Sequence, residues 1–159
     1  MDKLLQYLEN DALLTPDKLG RMLDIPIREV KRKIEAYEKS GVILGYRAII
    51  NDDKLNLDRV KAVIEVRIAP EREGGFDRTA ERIAKFEEVT SCFLMSGAYD
   101  LLIFVEGKTL HQVATFVSSK LATLDRVQST ATHFMLKTYK DQGVNMSEPA
   151  CEERMAVAP

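Results

Sequence analysis

The chain has 159 residues, of which 45% are hydrophobic and 30% are charged, an ordinary balance for a water-soluble globular protein. No apolar run approaches the roughly 20 residues needed to cross a bilayer, and residues 1–4 are too polar for a signal peptide. We therefore expect no membrane association and a cytoplasmic location. Cys92 and Cys151 stand far apart, with no Cys-x-x-Cys pair or Cys/His cluster, which argues against a disulfide framework and a zinc site.

The net charge of −2 is unevenly distributed along the chain. Residues 15–47 carry +3, which leaves −5 for the rest. The segment contains more basic than acidic residues. The eight basic residues are Lys18, Arg21, Arg28, Lys31, Arg32, Lys33, Lys39 and Arg47, and the five acidic residues are Asp17, Asp24, Glu29, Glu35 and Glu38. A basic segment in an otherwise acidic chain is typical of a nucleic-acid-binding protein. A solvated helix face with mixed charges can, however, show the same excess of basic residues.

The N-terminal third of the chain predicts three short helices. Leucines at helical spacing predict the first over residues 2–10. Thr15 and Pro16 predict the start of the second, because threonine caps a helix and proline suits its first position. Pro26 interrupts this helix, since it lacks an N–H and restrains the residue before it. The third helix is predicted over residues 27–39.

The third helix is predicted to end at Ser40-Gly41, and residues 42–50 predict a hairpin with Gly45 at or near the turn. Three helices followed by a hairpin describe a winged helix-turn-helix domain, which we place at residues 1–50. Four basic residues within six positions of the third helix can supply phosphate contacts and a bidentate guanine contact. The predicted DNA-binding residues are Arg28, Lys31, Arg32 and Lys33 in that helix and Arg47 in the hairpin.

After a polar linker predicted at residues 51–59, the hydrophobic period becomes that of strands. The predicted elements are a strand at 60–68, a helix at 77–86, strands at 89–95 and 99–105, a helix capped by Thr109 and a strand at 127–138. The order β-α-β-β-α-β is the ferredoxin-like pattern, an antiparallel sheet with helices on one face. We assign it to residues 60–142, which makes the fold class α+β. Residues 143–159 lack periodicity and are predicted to be a flexible tail.

Several stretches of both domains match a known pattern. In the first domain they are Thr15-Pro16-Asp17-Lys18-Leu19-Gly20 and the exit Gly41-Val42-Ile43…Gly45-Tyr46, and in the second Ser96-Gly97-Ala98-Tyr99-Asp100-Leu101-Leu102 and Arg126-Val127-Gln128-Ser129-Thr130-Ala131-Thr132. These stretches resemble the leucine-responsive regulator (Lrp/AsnC) family of transcriptional regulators, including its Gly-x-Tyr-Asp sensor loop. The resemblance covers about residues 1–142, with both domains in the family's order.

The resemblance implies a regulator that binds double-stranded DNA, forms a homodimer and assembles further, for example into an octamer. It also implies a small-molecule effector, with an amino acid expected, at the Gly-x-Tyr-Asp loop. The predicted effector-binding residues are Gly97, Tyr99 and Asp100, with Thr130 or Thr132 across an interface between protomers. Asp100 enters an apolar strand, where a carboxylate needs a partner. That partner is either the ammonium of the effector or the backbone N–H groups of its own loop.

The chain also departs from the family pattern. Pro26 stands where a serine usually caps the recognition helix, Gly20 replaces a usual alanine, and Asp125 or Arg126 stands where glycine is common. On propensity alone, the glycine weakens its helix by about 1 kcal/mol. The missing serine cap keeps open an alternative function, an oligomeric ligand sensor of the same fold that does not bind DNA.

No nucleophile is paired with a base at a readable spacing, so we predict no catalytic site and no cofactor. His111 and His133 have no second ligand three or four positions away, which argues against a metal site. Some tetrapyrrole-processing decarboxylases resemble the same family, but residues 96–106 lack the His- and Arg-rich segments that such enzymes need. The predicted function is sequence-specific DNA binding modulated by a small metabolite.

Overall fold

The computed structural model describes residues 1–55, 58–70 and 75–146. The chain divides into two compact units, residues 1–50 and residues 51–159. Each unit has a hydrophobic core of its own, so the two are described separately.

The N-terminal unit contains three helices, α1 (Lys3–Asn10), α2 (Pro16–Leu23) and α3 (Ile27–Lys39). Its buried core is made by Leu4 and Leu8 of α1, Leu19 of α2 and Val30 of α3. Burying side chains of this size stabilises a fold by about 1.5–3 kcal/mol each, so these few contacts hold the three helices together. The predicted three-helix arrangement is confirmed.

Side chains cap the first two helices as their residue types suggest. The Asp2 carboxylate accepts a hydrogen bond from the backbone N–H of Leu4 at 3.0 Å. Thr15 Oγ1 accepts one from the N–H of Lys18 at 3.4 Å, and Pro16 occupies the first position of α2. Each cap satisfies a backbone donor that the helix itself leaves unpaired.

The turn between α2 and α3 depends on a close backbone contact at Gly20. Asp24 ends α2 in the left-handed region, with φ of 54°, and the N–H of Ile25 donates to the Gly20 carbonyl at 3.0 Å. A Cβ placed on Gly20 would lie 2.9 Å from the Ile25 carbonyl oxygen. The glycine is therefore a packing requirement of this turn, and its low helix propensity describes only part of its effect.

The helix α3 ends at Lys39 and is followed by Ser40-Gly41, as predicted, but no hairpin comes after it. Gly41 has φ of 73°, and the N–H of Val42 reaches back to the Tyr37 carbonyl at 2.9 Å. Residues 43–50 form no strand within this chain. The predicted hairpin at residues 42–50 is wrong because a tight hairpin turn needs positive φ, which Gly45 does not adopt.

The C-terminal unit contains β1 (Val60–Ile68), α4 (Asp77–Ala84), β2 (Val89–Leu94), β3 (Leu101–Gly107), α5 (Leu110–Phe116) and β4 (Val127–Phe134). The four strands form an antiparallel sheet in the order β2-β3-β1-β4. This strand order is that of the ferredoxin-like fold, so the predicted α+β class is confirmed. A single π-helical turn, Val117–Leu121, extends α5.

One face of this sheet is buried against both helices. Alternate residues of β1 and β3 form it together with helix residues: Ala62, Ile64, Val66, Ile68, Leu101, Ile103, Val105, Ile83, Val113 and Phe116. The alternation follows from the strand period of two.

The opposite face carries apolar side chains that neither α4 nor α5 covers. Val63 pairs directly with Phe104, and Leu102 with Phe93, so these four side chains lie on the same side of the sheet. The rings of Phe93 and Phe104 meet edge to face at 6.1 Å between centroids. Phe93 keeps half of its surface exposed. We call Val63, Phe93, Leu102 and Phe104 the open sheet face.

The last part of the described chain differs from the prediction. The strand expected over residues 127–138 ends at Phe134, opposite Ala62 of β1, and one further backbone hydrogen bond follows it, from the Met135 N–H to the Lys61 carbonyl at 2.9 Å. A small hairpin of β5 (Lys140–Asp141) and β6 (Val144–Asn145) follows, so the first residues of the predicted tail are ordered. The remainder of that tail, residues 147–159, lies outside the described residues.

Candidate DNA-binding helix and ligand-binding loop

The exposed face of α3 gathers most of the predicted DNA-binding residues. Arg28, Lys31 and Arg32 are all exposed and, with Ile27 and Glu35, line one shallow concavity of the surface. Spacings of three and four residues place them on a single side of the helix. Within the described part of the chain, none of the three cations has an acidic partner. Their charges are therefore available to an external anion.

Lys33 does not belong to that face. Its Nζ lies 3.8 Å from Oδ2 of Asp2, on the side of α3 that packs toward α1, and it is half-buried. Counting charges along the helix missed this partner, which lies 31 positions earlier in the chain. The position of Asp2 as a helix cap is the feature that could have indicated it. Arg47 is exposed in the segment after α3 and does not line the concavity.

The first turn of α3 has no side-chain cap. Pro26 occupies the capping position and makes no side-chain hydrogen bond, while its carbonyl accepts from the N–H groups of Glu29 and Val30. The N–H groups at this end are thus left without a capping side chain. Such groups suit a phosphate, although the first-turn carboxylate of Glu29 opposes an anion.

In the C-terminal unit, Asp100 ties the β2–β3 loop to the end of β1. Its Oδ2 accepts a hydrogen bond from the Ile68 N–H at 2.8 Å, and its own N–H donates to the Val66 carbonyl at 3.1 Å. The pairing of β1 with β3 stops at Val66 and Leu101, so the carboxylate supplies the acceptor that the ladder no longer provides to Ile68. Among the described residues Oδ1 of Asp100 has no partner.

The other predicted effector residues lie on two separate parts of the described C-terminal unit. Gly97 is exposed and Tyr99 half-buried in the same loop as Asp100. Thr130 and Thr132 lie on β4, opposite Val66 and Ile64, and are half-buried. Because β1 runs between β3 and β4, the loop and the threonines lie on opposite sides of that strand. The site across an interface between protomers therefore stays a prediction.

The comparisons with known proteins agree with this architecture. The model of the Lrp/AsnC ligand-binding domain matches residues 61–144. The HTH-type transcriptional regulator YugG of Bacillus subtilis is 42% identical over 158 residues, which cover 99% of this chain and 95% of that protein. The chain belongs to the Lrp/AsnC family of transcriptional regulators. The resemblance inferred from the motifs is confirmed.

Two further proteins to which the chain is similar are transcriptional regulators. A proline dehydrogenase transcriptional activator of Rhizobium radiobacter is 25% identical over 142 residues, covering 89% of this chain and 90% of that protein. The crystal structure of a Neisseria meningitidis transcriptional regulator in complex with L-Met superposes with a TM-score of 0.66 at 26% identity, covering 89% of this chain and 93% of that one.

The described residues of this Lrp/AsnC member contain no group of three or more His, Cys, Asp and Glu side chains that could hold a metal ion. Their helices include none that is both long and apolar enough to span a bilayer. His133 lies 3.5 Å from the Glu65 carboxylate on the sheet. Burial raises the pKa of the Cys92 thiol, which makes Cys92 a poor nucleophile.

Proposed function

We propose that this Lrp/AsnC regulator binds double-stranded DNA through α3 and that an amino acid bound at the β2–β3 loop modulates this binding. The observation that carries the proposal is the set of exposed cations Arg28, Lys31 and Arg32 on one side of α3, without acidic partners in the described chain. A helix with such a face fits the major groove, where arginine reads guanine and lysine neutralises phosphate.

The uncapped start of α3 supports the same orientation. Backbone N–H groups at a helix N-terminus donate well to phosphate oxygens. Pro26 leaves these groups without a side-chain acceptor. We infer that they contact the DNA backbone directly, so that the missing serine cap changes the phosphate contact without removing it. Arg47 is proposed to add a further phosphate contact beside the helix.

Assembly is proposed to occur through the open sheet face. Its four apolar side chains, two of them aromatic rings in contact, are covered by neither α4 nor α5. Burial of apolar surface breaks no hydrogen bonds with water, and it stabilises an assembly by about 25 cal/mol per Å². A second copy offers an identical apolar face, so a twofold dimer covers both at once. We propose that such dimers associate further, which brings threonines of β4 toward the loop of a neighbouring protomer.

Two observations support the proposed amino-acid site, one from the Asp100 carboxylate and one from a relative. The Oδ1 atom of Asp100 has no partner among the described residues, so it can accept from an ammonium while Oδ2 holds Ile68. The relative from Neisseria meningitidis is described as a complex with L-Met. We therefore propose Gly97, Tyr99 and Asp100 of one protomer, with Thr130 or Thr132 of another, as the amino-acid site. The protein acts in the cytoplasm and has no catalytic activity.

Fluorescence anisotropy with duplex DNA from upstream of its own gene tests the DNA-binding proposal. We expect binding to half-sites about one helical turn apart, or a multiple of it, because the two recognition helices follow dimer symmetry. Affinity should fall by orders of magnitude between about 50 and 200 mM salt, since each neutralised phosphate releases counterions. A folded protein that binds no duplex at low salt would instead be the DNA-free ligand sensor.

A further inference from the structure

A cavity of about 260 Å³ lies in the C-terminal unit, where α4 meets the segment that leads into β4. It is lined by Arg78, Thr79, Arg82, Leu124, Asp125 and Arg126. The β2–β3 loop contributes nothing to this lining, so the cavity is distinct from the proposed amino-acid site. Pockets for drug-sized ligands span about 300–1,000 Å³, so this volume suits a smaller molecule.

The walls of the cavity are held in place by the fold. Leu124 is buried in the core, and its carbonyl accepts a hydrogen bond from the Val127 N–H at 2.9 Å. The carbonyl of Arg126 accepts one from the N–H of Ala69, also at 2.9 Å. On the opposite wall Thr79 is buried within α4. A ligand therefore meets a preformed backbone, which lowers the entropy lost on binding.

Two arginines from different elements line the cavity, Arg82 of α4 and Arg126 of the segment before β4. Arg82 and Arg126 have neither an ion pair nor a side-chain hydrogen bond within the described part of the chain. Among the described residues of the lining Asp125 is the one acid, so the two charges of Arg82 and Arg126 outweigh it.

We propose that this cavity binds the phosphate group of a small phosphorylated metabolite. Guanidinium groups match phosphate oxygens with paired N–H donors, and a phosphate monoester carries close to two negative charges near neutral pH, which suits the surplus positive charge here. Arg82 and Arg126 approach from two different elements and grip the phosphate from two sides. The regulator thus receives a second chemical signal, independent of the amino acid.

The test is a thermal-shift titration of the full chain with inorganic phosphate against chloride at matched ionic strength. All proteins carry Lys31→Ala and Arg32→Ala, which removes two of the exposed cations of α3 and so reduces phosphate binding at the DNA-binding helix. Phosphate should raise the melting temperature, because it binds the folded state. Arg82→Gln and Arg126→Gln should each weaken the apparent affinity about tenfold, which is the effect of one lost charged hydrogen bond. Asp125→Asn should strengthen it.

Arg59→Gln is the matched control, since Arg59 lies in the same unit and faces Glu106 at 4.0 Å away from the cavity. It should respond to phosphate as the parent does. A parent that shows no phosphate-specific shift overturns the proposal, as does a shift that Arg82→Gln and Arg126→Gln leave unchanged. Succinate, a small dicarboxylate, serves as the second probe. If succinate shifts the melting temperature more than phosphate does, the assignment to a phosphate group is wrong.

Discussion

The hydroxyl of Tyr37 donates to Oδ2 of Asp2 across 2.6 Å, which ties the C-terminal part of α3 to the residue that caps α1. Lys33 lies 3.8 Å from the same carboxylate oxygen. The Asp2 carboxylate thus caps α1, accepts a hydrogen bond from Tyr37 and lies close to Lys33. This arrangement positions the helix that we propose to enter the DNA groove.

The hydrogen bond from Tyr37, and after it the one from the Leu4 N–H, holds the pKa of the Asp2 carboxyl below its usual range. A carboxyl whose pKa is lower in the folded state stabilises fully above its unfolded pKa and loses that stabilisation as the pH falls through the folded pKa. We expect Tyr37→Phe to lower stability at neutral pH and to flatten its decline in acid. Urea melts between about pH 7 and pH 3 measure both effects.

Tyr46→Phe is the control for this experiment, since Tyr46 donates to Glu38 on the exposed surface. It should leave the acid profile of the wild type unchanged. A Tyr37→Phe profile that runs parallel to that of the wild type would show that the contact with Asp2 contributes no pH dependence.

Gly20→Ala tests whether packing or propensity governs the turn before α3. Propensity alone predicts a gain of about 1 kcal/mol. The added Cβ would meet the Ile25 carbonyl oxygen at 2.9 Å, and backbone cannot move aside cheaply. We expect a net loss of about 1–2 kcal/mol, as overpacking usually costs. Gly45→Ala, where an added Cβ meets nothing within 4 Å, should be near neutral in the same urea titration. Equal effects at the two positions would contradict the packing account.

The exposed cations of α3 should differ in how they affect DNA binding. Arg28→Ala is expected to cost about 1–3 kcal/mol and to relax sequence preference, if Arg28 reads a guanine. Lys31→Ala should weaken all sequences alike and reduce the slope of the salt dependence by about 1. Anisotropy titrations with operator and unrelated duplexes separate the two patterns.

Lys33→Ala is the matched control for this series because Lys33 lies beside Asp2 and away from the exposed face. It should retain DNA affinity and lose at most about 1 kcal/mol of stability, the usual value of a surface ion pair. A Lys31→Ala/Arg32→Ala variant that binds as the wild type does would show that this face of α3 does not contact DNA.

Phe93→Arg tests assembly through the open sheet face. A charge placed beside Phe104 loses its contact with water when a second apolar face covers it in the dimer, which costs free energy of association. We expect the full chain to shift to a smaller species in analytical ultracentrifugation at micromolar concentration. Leu110→Arg, at an exposed position on α5, should assemble normally. Unchanged assembly of the Phe93 variant would place the interface elsewhere.

Two substitutions at Asp100 separate its structural contact from its proposed recognition of an ammonium. Asp100→Asn keeps an oxygen for the Ile68 N–H and removes the charge, so it should melt close to the wild type yet lose the thermal shift with an amino acid. Asp100→Ala should also lose about 1–3 kcal/mol, because a part-buried donor is left unpaired. Screening the twenty amino acids against the wild type identifies the ligand. An Asn variant that still responds makes Asp100 a structural cap only.

Local signals in the sequence predicted much of this fold. Thr15-Pro16 and Gly41 mark helix ends because capping needs only a few neighbouring residues. The alternation of buried and more exposed residues along β1 and β3 likewise depends only on neighbouring residues. Contacts between distant residues were not predictable in this way: the acceptor for the Ile68 N–H lies 32 positions away on Asp100, and the partner of Lys33 lies near the N-terminus. The number of basic residues in α3 could be read from the sequence. Which of them lie on the exposed side of the helix depends on how the helix packs.

The side-chain amide of Asn51 donates to the Met146 carbonyl at 2.9 Å. The first residue of the C-terminal unit is therefore tied to a residue that lies 95 positions later in the chain. Two segments that are distant in sequence and adjacent in space can be joined by a short peptide without rearranging the strands between them. Such a peptide from Met146 to Asn51 would close this part of the unit into a ring, with new ends opened in an exposed loop elsewhere.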